Sequence, residues 1–555
     1  MKLSIRKEGG SGGGGSAAPS IAVSCFDLKP FIATLAVLTF LLAVWQLQPY
    51  ESFLPSRFSS SCVLSSNATS HVSIANHSSS SSNLSSTPLP PSNFTTTTPS
   101  VTQVPQKKLS NFTTTTPSVT QVPHKKLSFS VSLSSVVAPN STRPTRNPVP
   151  ADRNKRVFKP YGKAAALFVQ MGAYRGGPRT FAVIGLASKP IHVYGTPYFK
   201  CEWVPRPTPS NPKPVPLRTK AYKMLPDWGY GRVYTVVVVN CTFPSNPNSD
   251  NAGGALVVHA YYSTSSRKYE KFVALEEAPG SYNEDQFNPP YKYEYLYCGS
   301  SLYGDLNPSR MREWMAYHAH FFGPKSHFVF HDAGGIGPEV RAVLEPWVKA
   351  GRLTIQDIRA QSEYDGYYYN QFLVVNDCLH RHRYAANWTF FFDVDEYLYL
   401  PTGENLDSVL GKLKRFTQFT IEQNPMSSKL CALDSTRNYS REWGFEKLLF
   451  RNSITGIRRD RKYAIQARYA YSAGVHMSQN VFGRTTHKTE SLIRYYHFHN
   501  SINVLGEPCR EYVPVPAKGT KVWFEGIPYV YDDTMRQLAG TIKKFERENI
   551  DASQT

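Results

Sequence analysis

Residues 389–395, TFFFDVD, constrain the fold more than any other part of this chain. An unbroken apolar run that ends in acidic residues is typical of a strand buried on both faces. Such strands occupy the middle of parallel sheets that helices cover on both sides. We therefore predict a central strand here, with Asp393 and Asp395 at the carboxyl edge of the sheet, where ligands bind in this architecture.

Strand-like and helix-like segments alternate around this run, from residue 291 towards the C-terminus at residue 555. Asn307 followed by Pro308 is a helix start signal, and apolar side chains then recur at a spacing of three and four residues. The other strands are predicted at 293–299, 326–331 and 352–358, and further helices at 338–350 and 368–384. This alternation predicts an α/β nucleotide-binding domain with a mainly parallel sheet over 291–555.

Residues 152–290 have a different pattern. Short runs of β-branched and aromatic residues are separated by proline and glycine, without helical periodicity. This spacing predicts a small antiparallel β-sandwich. Trp203, Trp228 and Tyr230 are candidates for stacking on sugar rings in a carbohydrate-binding domain, although a place in the sandwich core is the alternative for each of them.

The N-terminal part of the chain predicts a membrane anchor and a stalk. Residues 1–30 carry a basic excess, and residues 31–47 form a 17-residue run without a charge. We interpret this run as an uncleaved signal-anchor with a cytosolic N-terminus, a cleaved signal peptide being the alternative. Residues 48–151 are rich in Ser, Thr and Pro and contain a near-duplicate segment, which predicts a disordered and glycosylated stalk.

This topology places the folded part of the chain in an oxidising lumen. The six cysteines beyond the stalk can then form up to three disulfides, with connectivity left open. The net charge of +21 indicates acidic partners such as nucleotide-sugar phosphates or polyuronates. A lumenal location argues against nucleic acid as a partner.

Two motifs predict a metal site. Asp393 and Asp395 stand at positions i and i+2, so their side chains point to the same side of a strand. Carboxylate oxygens suit Mn²⁺ or Mg²⁺, whereas a solvated strand end or a helix cap is the alternative. About a hundred residues later, His497 and His499 repeat the same spacing; one imidazole can complete the metal coordination and the other can contact phosphate or sugar.

Three long segments resemble glycosyltransferase family 92. They are YLYCGSSLYGDLNPSRMREWMAYHAHFFGPKSHFVFHDAGG from residue 295, NQFLVVNDCLHRHRYAANWTFFFDVDEYL from residue 370, and IRYYHFHNS from residue 493. The resemblance spans about residues 155–535 and is strongest to the plant members that build pectic galactan. It implies a GT-A fold preceded by a carbohydrate-binding module, residence in the Golgi, and dependence on Mn²⁺. It also implies transfer of galactose from UDP-galactose, with inversion, onto β-1,4-galactan side chains of rhamnogalacturonan I.

The resemblance also implies roles for individual residues. Asp395 and His497 correspond to metal ligands, and Asp393 to a residue that faces the metal or the donor ribose. The residues that the resemblance places near the donor are Cys298, Gly299, Ser300, Asp332, Gln371 and Asp377, and a structural function that holds a helix to the sheet is the alternative for Asp377. His499 departs from the family pattern, and its predicted contact with the donor rests on its spacing from His497. Lys447, in the basic stretch between the two motifs, is a candidate for neutralising the departing diphosphate, and a solvated surface is its alternative.

Inversion requires a carboxylate that takes the proton from the acceptor hydroxyl. Glu446 is the first candidate, because it lies beside a tryptophan and a glycine between the two metal motifs, and Glu442 is the second. Asp434, Glu507 and Glu511 follow. Alternatives for the whole protein are a non-catalytic glycan-binding protein in the Golgi, a glycosidase, and a transferase that uses UDP-arabinopyranose. A homodimer is a further expectation.

Overall fold

The computed structural model describes residues 152–550, except 163–165, 190–196, 365, 367, 402, 434–437, 439–441, 455–459 and 504–508. The predicted anchor and stalk lie outside the described residues. Within the described part of the chain, no helix combines the length and the apolar character needed to cross a membrane.

The first eight strands are all antiparallel to their neighbours. They join in the order β1-β2-β3-β6-β5-β4-β7-β8, and Trp203, Phe181 and Leu256 contribute to a buried core formed by strands from both ends of that order. The disulfide Cys201–Cys241 links β4 to β6. The strands are β1 Lys159–Tyr161, β2 Phe168–Gly177, β3 Thr180–Ser188, β4 Tyr198–Pro205, β5 Leu217–Met224, β6 Tyr234–Thr242, β7 Gly254–Tyr261 and β8 Tyr269–Glu277.

The second sheet has nine strands and carries the TFFFDVD segment in its centre. Its order is β11-β10-β9-β12-β17-β14-β19-β13, with β18 beside β14. The first four strands are parallel, as predicted, whereas β17 and β13 run antiparallel to their neighbours, so the sheet is mixed. The strands are β9 Tyr293–Leu302, β10 Ser326–Asp332, β11 Leu353–Asp357, β12 Ala386–Phe391, β13 Glu396–Tyr399, β14 Gln418–Pro425, β17 Arg461–Ile465, β18 Thr485–Thr486 and β19 Arg494–His497.

Three of the helices in the described residues lie where the sequence predicts them and cover this sheet. The Asn307 side chain accepts hydrogen bonds from the backbone nitrogens of Ser309 and Arg310, at 2.9 and 3.2 Å, and so caps the first helix. Its predicted inward residues, Met311, Trp314 and Met315 among them, are buried. The helices are α1 Pro308–Phe322, α2 Pro338–Lys349, α3 Gln371–Arg381, α4 Leu406–Leu413, α5 Gly444–Lys447 and α6 Thr534–Ile550.

Two small sheets are formed by chain segments that lie between and after the last strands of the large sheet. Strand β15 (Leu430–Leu433) pairs with β20 (Glu511–Pro514), and β16 (Phe450–Asn452), β22 (Ile527–Tyr531) and β21 (Lys521–Phe524) form the other. The disulfides Cys298–Cys378 and Cys431–Cys509 complete three bridges. All six cysteines beyond the predicted stalk are therefore paired.

Helix α3 joins the two large sheets through a buried charge network. Asp377 accepts hydrogen bonds from Arg156 (2.9 Å) and the Tyr174 hydroxyl (2.5 Å) on one side and from Arg381 (2.9 Å) on the other. Burial raises the pKa of Asp377, but the Arg381 and Arg156 charges outweigh burial and hold it below its ordinary value. Its carboxyl is thus a structural link between the sheets, and the expectation that Asp377 binds the donor is wrong.

We expect Asp377→Asn to destabilise the protein by up to about 3–5 kcal/mol, because it leaves two partly buried guanidinium groups without their counter-charge. Since the folded pKa of Asp377 is lowered, its contribution to stability is present above the unfolded pKa and is lost as the pH falls. Denaturant unfolding measures the change. The control is Lys544→Ala, which breaks an exposed pair with Glu548 and should cost about 0.3–0.5 kcal/mol; equal effects of the two variants would contradict the assignment.

Candidate active site

Pairing of β13 with β19 brings the two predicted motifs together. In this antiparallel pair, Glu396 lies opposite His497. Asp395, just before β13, and His499, just after the end of β19, therefore meet at the carboxyl edge of the large sheet. The backbone confirms the arrangement, because Phe498 and Asn500 donate hydrogen bonds to the carbonyl and the carboxylate of Asp395, at 3.0 and 3.1 Å.

Asp395, His497 and His499 form a group that can hold a metal ion. Their ligand atoms all lie within 4.8 Å of one another. His497 Nε2 is 3.7 Å from Asp395 Oδ1 and 3.3 Å from His499 Nδ1. One carboxylate and two imidazoles suit Mn²⁺ better than Mg²⁺, which prefers an all-oxygen environment. The residues therefore fit the predicted divalent cation.

The surroundings of His497 support this function. Its Nδ1 atom is 3.0 Å from the Gln423 side-chain oxygen, a partner that orients the ring and leaves Nε2 facing Asp395. Burial lowers the pKa of His497, but the Asp395 and Glu396 carboxylates outweigh burial and raise it to about 9. In contrast, burial and the neighbouring His497 lower the pKa of His499. The two carboxylates thus favour a cation at this position, and a metal ion bound there would take the place of the His497 proton.

Asp393 lies in the same cavity but is held by different partners. It accepts hydrogen bonds from Ser300 at 2.5 Å and from Lys462 at 2.6 Å. Gln371 in turn donates to Ser300 at 2.7 Å. Burial raises the pKa of Asp393, but Lys462 and Ser300 outweigh it and lower the pKa overall. Asp393 stands outside the group of three ligands, so the geometry favours contact with the donor over contact with the metal.

Glu396 is buried next to the two aspartates and holds the backbone between them and β13. Its carboxylate accepts the backbone N–H of Asp393 at 2.8 Å and lies 3.7 Å from Lys462 Nζ. Burial raises the pKa of Glu396 to about 7, and the Asp393 and Asp395 charges add to the effect against the opposing Lys462. Glu396 and Lys462 therefore fix the turn between β12 and β13.

A cavity of about 410 Å³ opens above this edge of the sheet. Its lining includes the polar residues Ser300 and Gln371 and the positively charged Lys462. It also includes four acidic residues and three histidines, which are Asp393, Asp395, Glu396, Asp460, His476, His497 and His499. Trp228 and Tyr230, which belong to the eight-stranded region, also line it. The cavity thus combines a metal-type cluster and charged groups with exposed aromatic rings at its lining, a combination that suits a polar small-molecule ligand.

Comparison with known proteins identifies the family. A family model for glycosyltransferase family 92 matches residues 293–526. Galactan beta-1,4-galactosyltransferase GALS1 of Arabidopsis thaliana is 67% identical over 401 residues, which are 72% of this chain and 80% of that protein. The chain belongs to glycosyltransferase family 92.

Other relatives agree with this membership. Galactan beta-1,4-galactosyltransferase GALS2 of Arabidopsis thaliana is 52% identical over 403 residues, 71% of this family 92 chain and 76% of its own. Among solved structures, the bifunctional glycosyltransferase WbbM aligns with a TM-score of 0.16 at 10% identity, over 28% of this chain and 27% of its own. That likeness carries no conclusion about the fold. Family membership makes the protein a glycosyltransferase.

Several residues predicted to contact ligands in this family 92 enzyme have other partners. Trp203 is fully buried in the eight-stranded region, so the expectation that it stacks on glycans is wrong. The Cys298 sulfur is in a disulfide, and the Gly299 carbonyl is 2.7 Å from His331 Nδ1. Asp332 accepts backbone N–H groups of the loop before α2. None of these four, nor Lys447, belongs to the described lining of the cavity.

The two glutamates predicted as catalytic base also lie outside the described lining of the cavity. Glu446 accepts the backbone N–H of Trp443 at 2.6 Å, which caps α5, and it forms an ion pair with Lys543 of α6. Glu442 directly precedes this cap. These positions give Glu446 a structural function at the start of a helix. Of the weaker candidates, Asp434 and Glu507 lie outside the described residues.

The transferase site contains residues that the sequence did not single out. Asp460, His476 and Gln423 are examples: the first two line the cavity, and the third orients His497. Asp460 immediately precedes β17, whose central position between β12 and β14 follows only from the strand order. In the sequence Asp460 stands among basic residues, in the segment RRDRK at 458–462, and this pattern gave no signal for a site.

Proposed function

We propose that this transferase adds β-1,4-linked galactose from UDP-galactose to galactan side chains of pectic rhamnogalacturonan I, with Mn²⁺ and with inversion of the anomeric carbon. The observation that carries the proposal is the group Asp395, His497 and His499 at the carboxyl edge of the sheet. It occurs in a family 92 chain whose relatives GALS1 and GALS2 are named as galactan galactosyltransferases.

The fold and the location form part of the same proposal. We assign residues 291–555 to a GT-A domain, supported by four parallel strands followed by a mixed half with the metal-type group at its edge. Residues 152–290 form a β-sandwich of the carbohydrate-binding type. Residues 31–47 anchor the chain in the Golgi membrane with the catalytic domain in the lumen, where three disulfides are favoured.

The cavity residues divide the binding of UDP-galactose between them. Asp395, His497 and His499 would hold Mn²⁺, which neutralises the negative charge of the departing diphosphate. Asp393, fixed by Ser300 and Lys462, faces the ribose with the oxygen lone pairs that these partners leave open. Gln371 holds Ser300 in place. The chain thereby orients the donor before the acceptor arrives.

Asp460 is the residue that we propose as the catalytic base. Of the four carboxylates in the described lining, Asp393 and Glu396 are tied to Lys462 and Asp395 faces His497. The Asp460 side chain is exposed and makes no ion pair with the described residues. As the acceptor O4 bonds to C1 of galactose, the bond from C1 to the UDP oxygen breaks, and the O4 proton passes to Asp460.

The decisive experiment incubates the full chain, purified in detergent, with β-1,4-galacto-oligosaccharides, Mn²⁺ and either UDP-galactose or UDP-arabinopyranose. We expect extension by β-1,4-linked galactose, identified by linkage analysis of the product. Stronger transfer of arabinopyranose would replace the donor assignment, and a product with another linkage would replace the activity. Release of UDP without an extended product would indicate hydrolysis instead.

A further inference from the structure

We propose that the turn around Trp228 is an outer acceptor subsite, which binds galactan sugars beyond the one that reacts. This inference rests on the proposed function. It assigns to the eight-stranded region a direct part in the transferase site: Trp228 and Tyr230 line the same cavity as Asp395 and His497, although more than 150 residues separate them in the sequence.

The turn that carries Trp228 is held by buried polar groups. Asp227 is fully buried, and its carboxylate accepts hydrogen bonds from the Thr235 hydroxyl at 2.6 Å and from the backbone nitrogens of Val236 and Gly229 at 2.9 and 3.1 Å. Lys189 donates to the Gly231 carbonyl at 2.6 Å. A buried carboxylate with three donors fixes the turn rigidly.

The backbone of Trp228 is itself unusual. Its φ is 51°, in the left-handed region that bulky residues rarely adopt. Such conformations persist only where the surrounding structure determines them, and they concentrate at functional sites. Here the strained residue presents an indole that is 56% exposed, with Tyr230 61% exposed beside it. The turn thus keeps two large rings in contact with water.

The position of these rings selects the ligand. The Trp228 ring packs edge-on against Phe372 at the start of α3, with centroids 6.0 Å apart, so it stands at the mouth of the cavity. A cavity of about 410 Å³ has the size of a site for one small molecule. A polymeric acceptor must therefore continue across the mouth. The apolar faces of galactose rings can stack there on exposed aromatic side chains.

The test compares Trp228→Ala with a matched control, Trp523→Ala. Trp523 is also half-exposed, on β21, and does not belong to the described lining of the cavity. Calorimetry with β-1,4-galacto-oligosaccharides of increasing length measures binding, and steady-state kinetics on the full chain measures KM for acceptor and donor. We expect Trp228→Ala to weaken binding of long acceptors about tenfold or more, since truncated aromatic anchors commonly cost that much.

Each result decides between specific alternatives. The KM for UDP-galactose and the affinity for the shortest acceptor should stay unchanged in Trp228→Ala, and Trp228→Phe should retain most of the affinity for long acceptors. An unchanged length dependence, or a loss confined to UDP-galactose, would overturn the inference while leaving the proposed function intact. Absence of galactosyl transfer by the wild type would instead refute the proposed function, and the binding measurements would still report on Trp228.

Discussion

Asp395→Ala is expected to lower galactosyl transfer about 1000-fold, because the loss of charge stabilisation on a leaving diphosphate is worth several kcal/mol. The substitution removes the one carboxylate from a group whose other members are His497 and His499. Two imidazoles without a carboxylate hold Mn²⁺ weakly. Titration of Mn²⁺ followed by electron paramagnetic resonance measures the affinity, and UDP release measures turnover.

Asp393→Asn is the matched control within the same motif. Asp393 is bound by Ser300 and Lys462 and stands outside the group of three ligands. We therefore expect this variant to keep its affinity for Mn²⁺ and to lose affinity for UDP-galactose. Normal Mn²⁺ binding by Asp395→Ala would contradict the metal assignment, and equal loss of Mn²⁺ binding in both variants would make Asp393 a fourth ligand.

The sequence predicted the elements that depend on local signals. The Asn307 cap, the inward face of α1 and the parallel strands β9–β12 are examples, since capping and apolar periodicity act within a few residues. The sequence also allowed the two aspartates and the two histidines to be assigned to a single metal site. Each has the spacing of neighbouring side chains on one side of a strand, and a shared metal is the simplest reason for both.

Strand order was the information that the sequence could not supply. His499 joins the metal-type group only because β19 pairs with β13 in one particular register, and Asp460 reaches the cavity only because β17 lies beside β12. Likewise, Glu446 resembled a base by its neighbours, yet its partner Lys543 comes from α6, almost a hundred residues later. Pairings over such distances leave no local pattern.

The eight-stranded region shows the same limit for aromatic residues. Trp203 and Trp228 could not be separated by the sequence, since both are tryptophans in a region of short β-type runs broken by proline and glycine. Trp203 lies within β4, where its side chain faces the core. Trp228 occupies a turn with a left-handed backbone, and Asp227 and Lys189 fix that turn through contacts that the sequence does not announce.

Asp460→Asn is expected to lower kcat about 100- to 10 000-fold, the usual contribution of a general base. The amide keeps the size of the side chain but cannot accept the proton from the acceptor O4. Because Asp460 is exposed and forms no ion pair with the described residues, the thermal unfolding midpoint and the affinity for Mn²⁺ and UDP should change little. Calorimetry on the variant separates intact binding from lost turnover.

Glu446→Gln tests the assignment of Asp460 as the catalytic base, because Glu446 is the competing candidate. Since Glu446 caps α5 and pairs with Lys543, its replacement should lower the unfolding midpoint while the kcat of the folded enzyme remains within the same order of magnitude. Asp285, an exposed acid outside the described lining of the cavity, should affect neither property when changed to Asn. If Glu446→Gln abolishes turnover at unchanged stability while Asp460→Asn stays active, the proton passes to Glu446, and α5 must then approach the acceptor during the reaction.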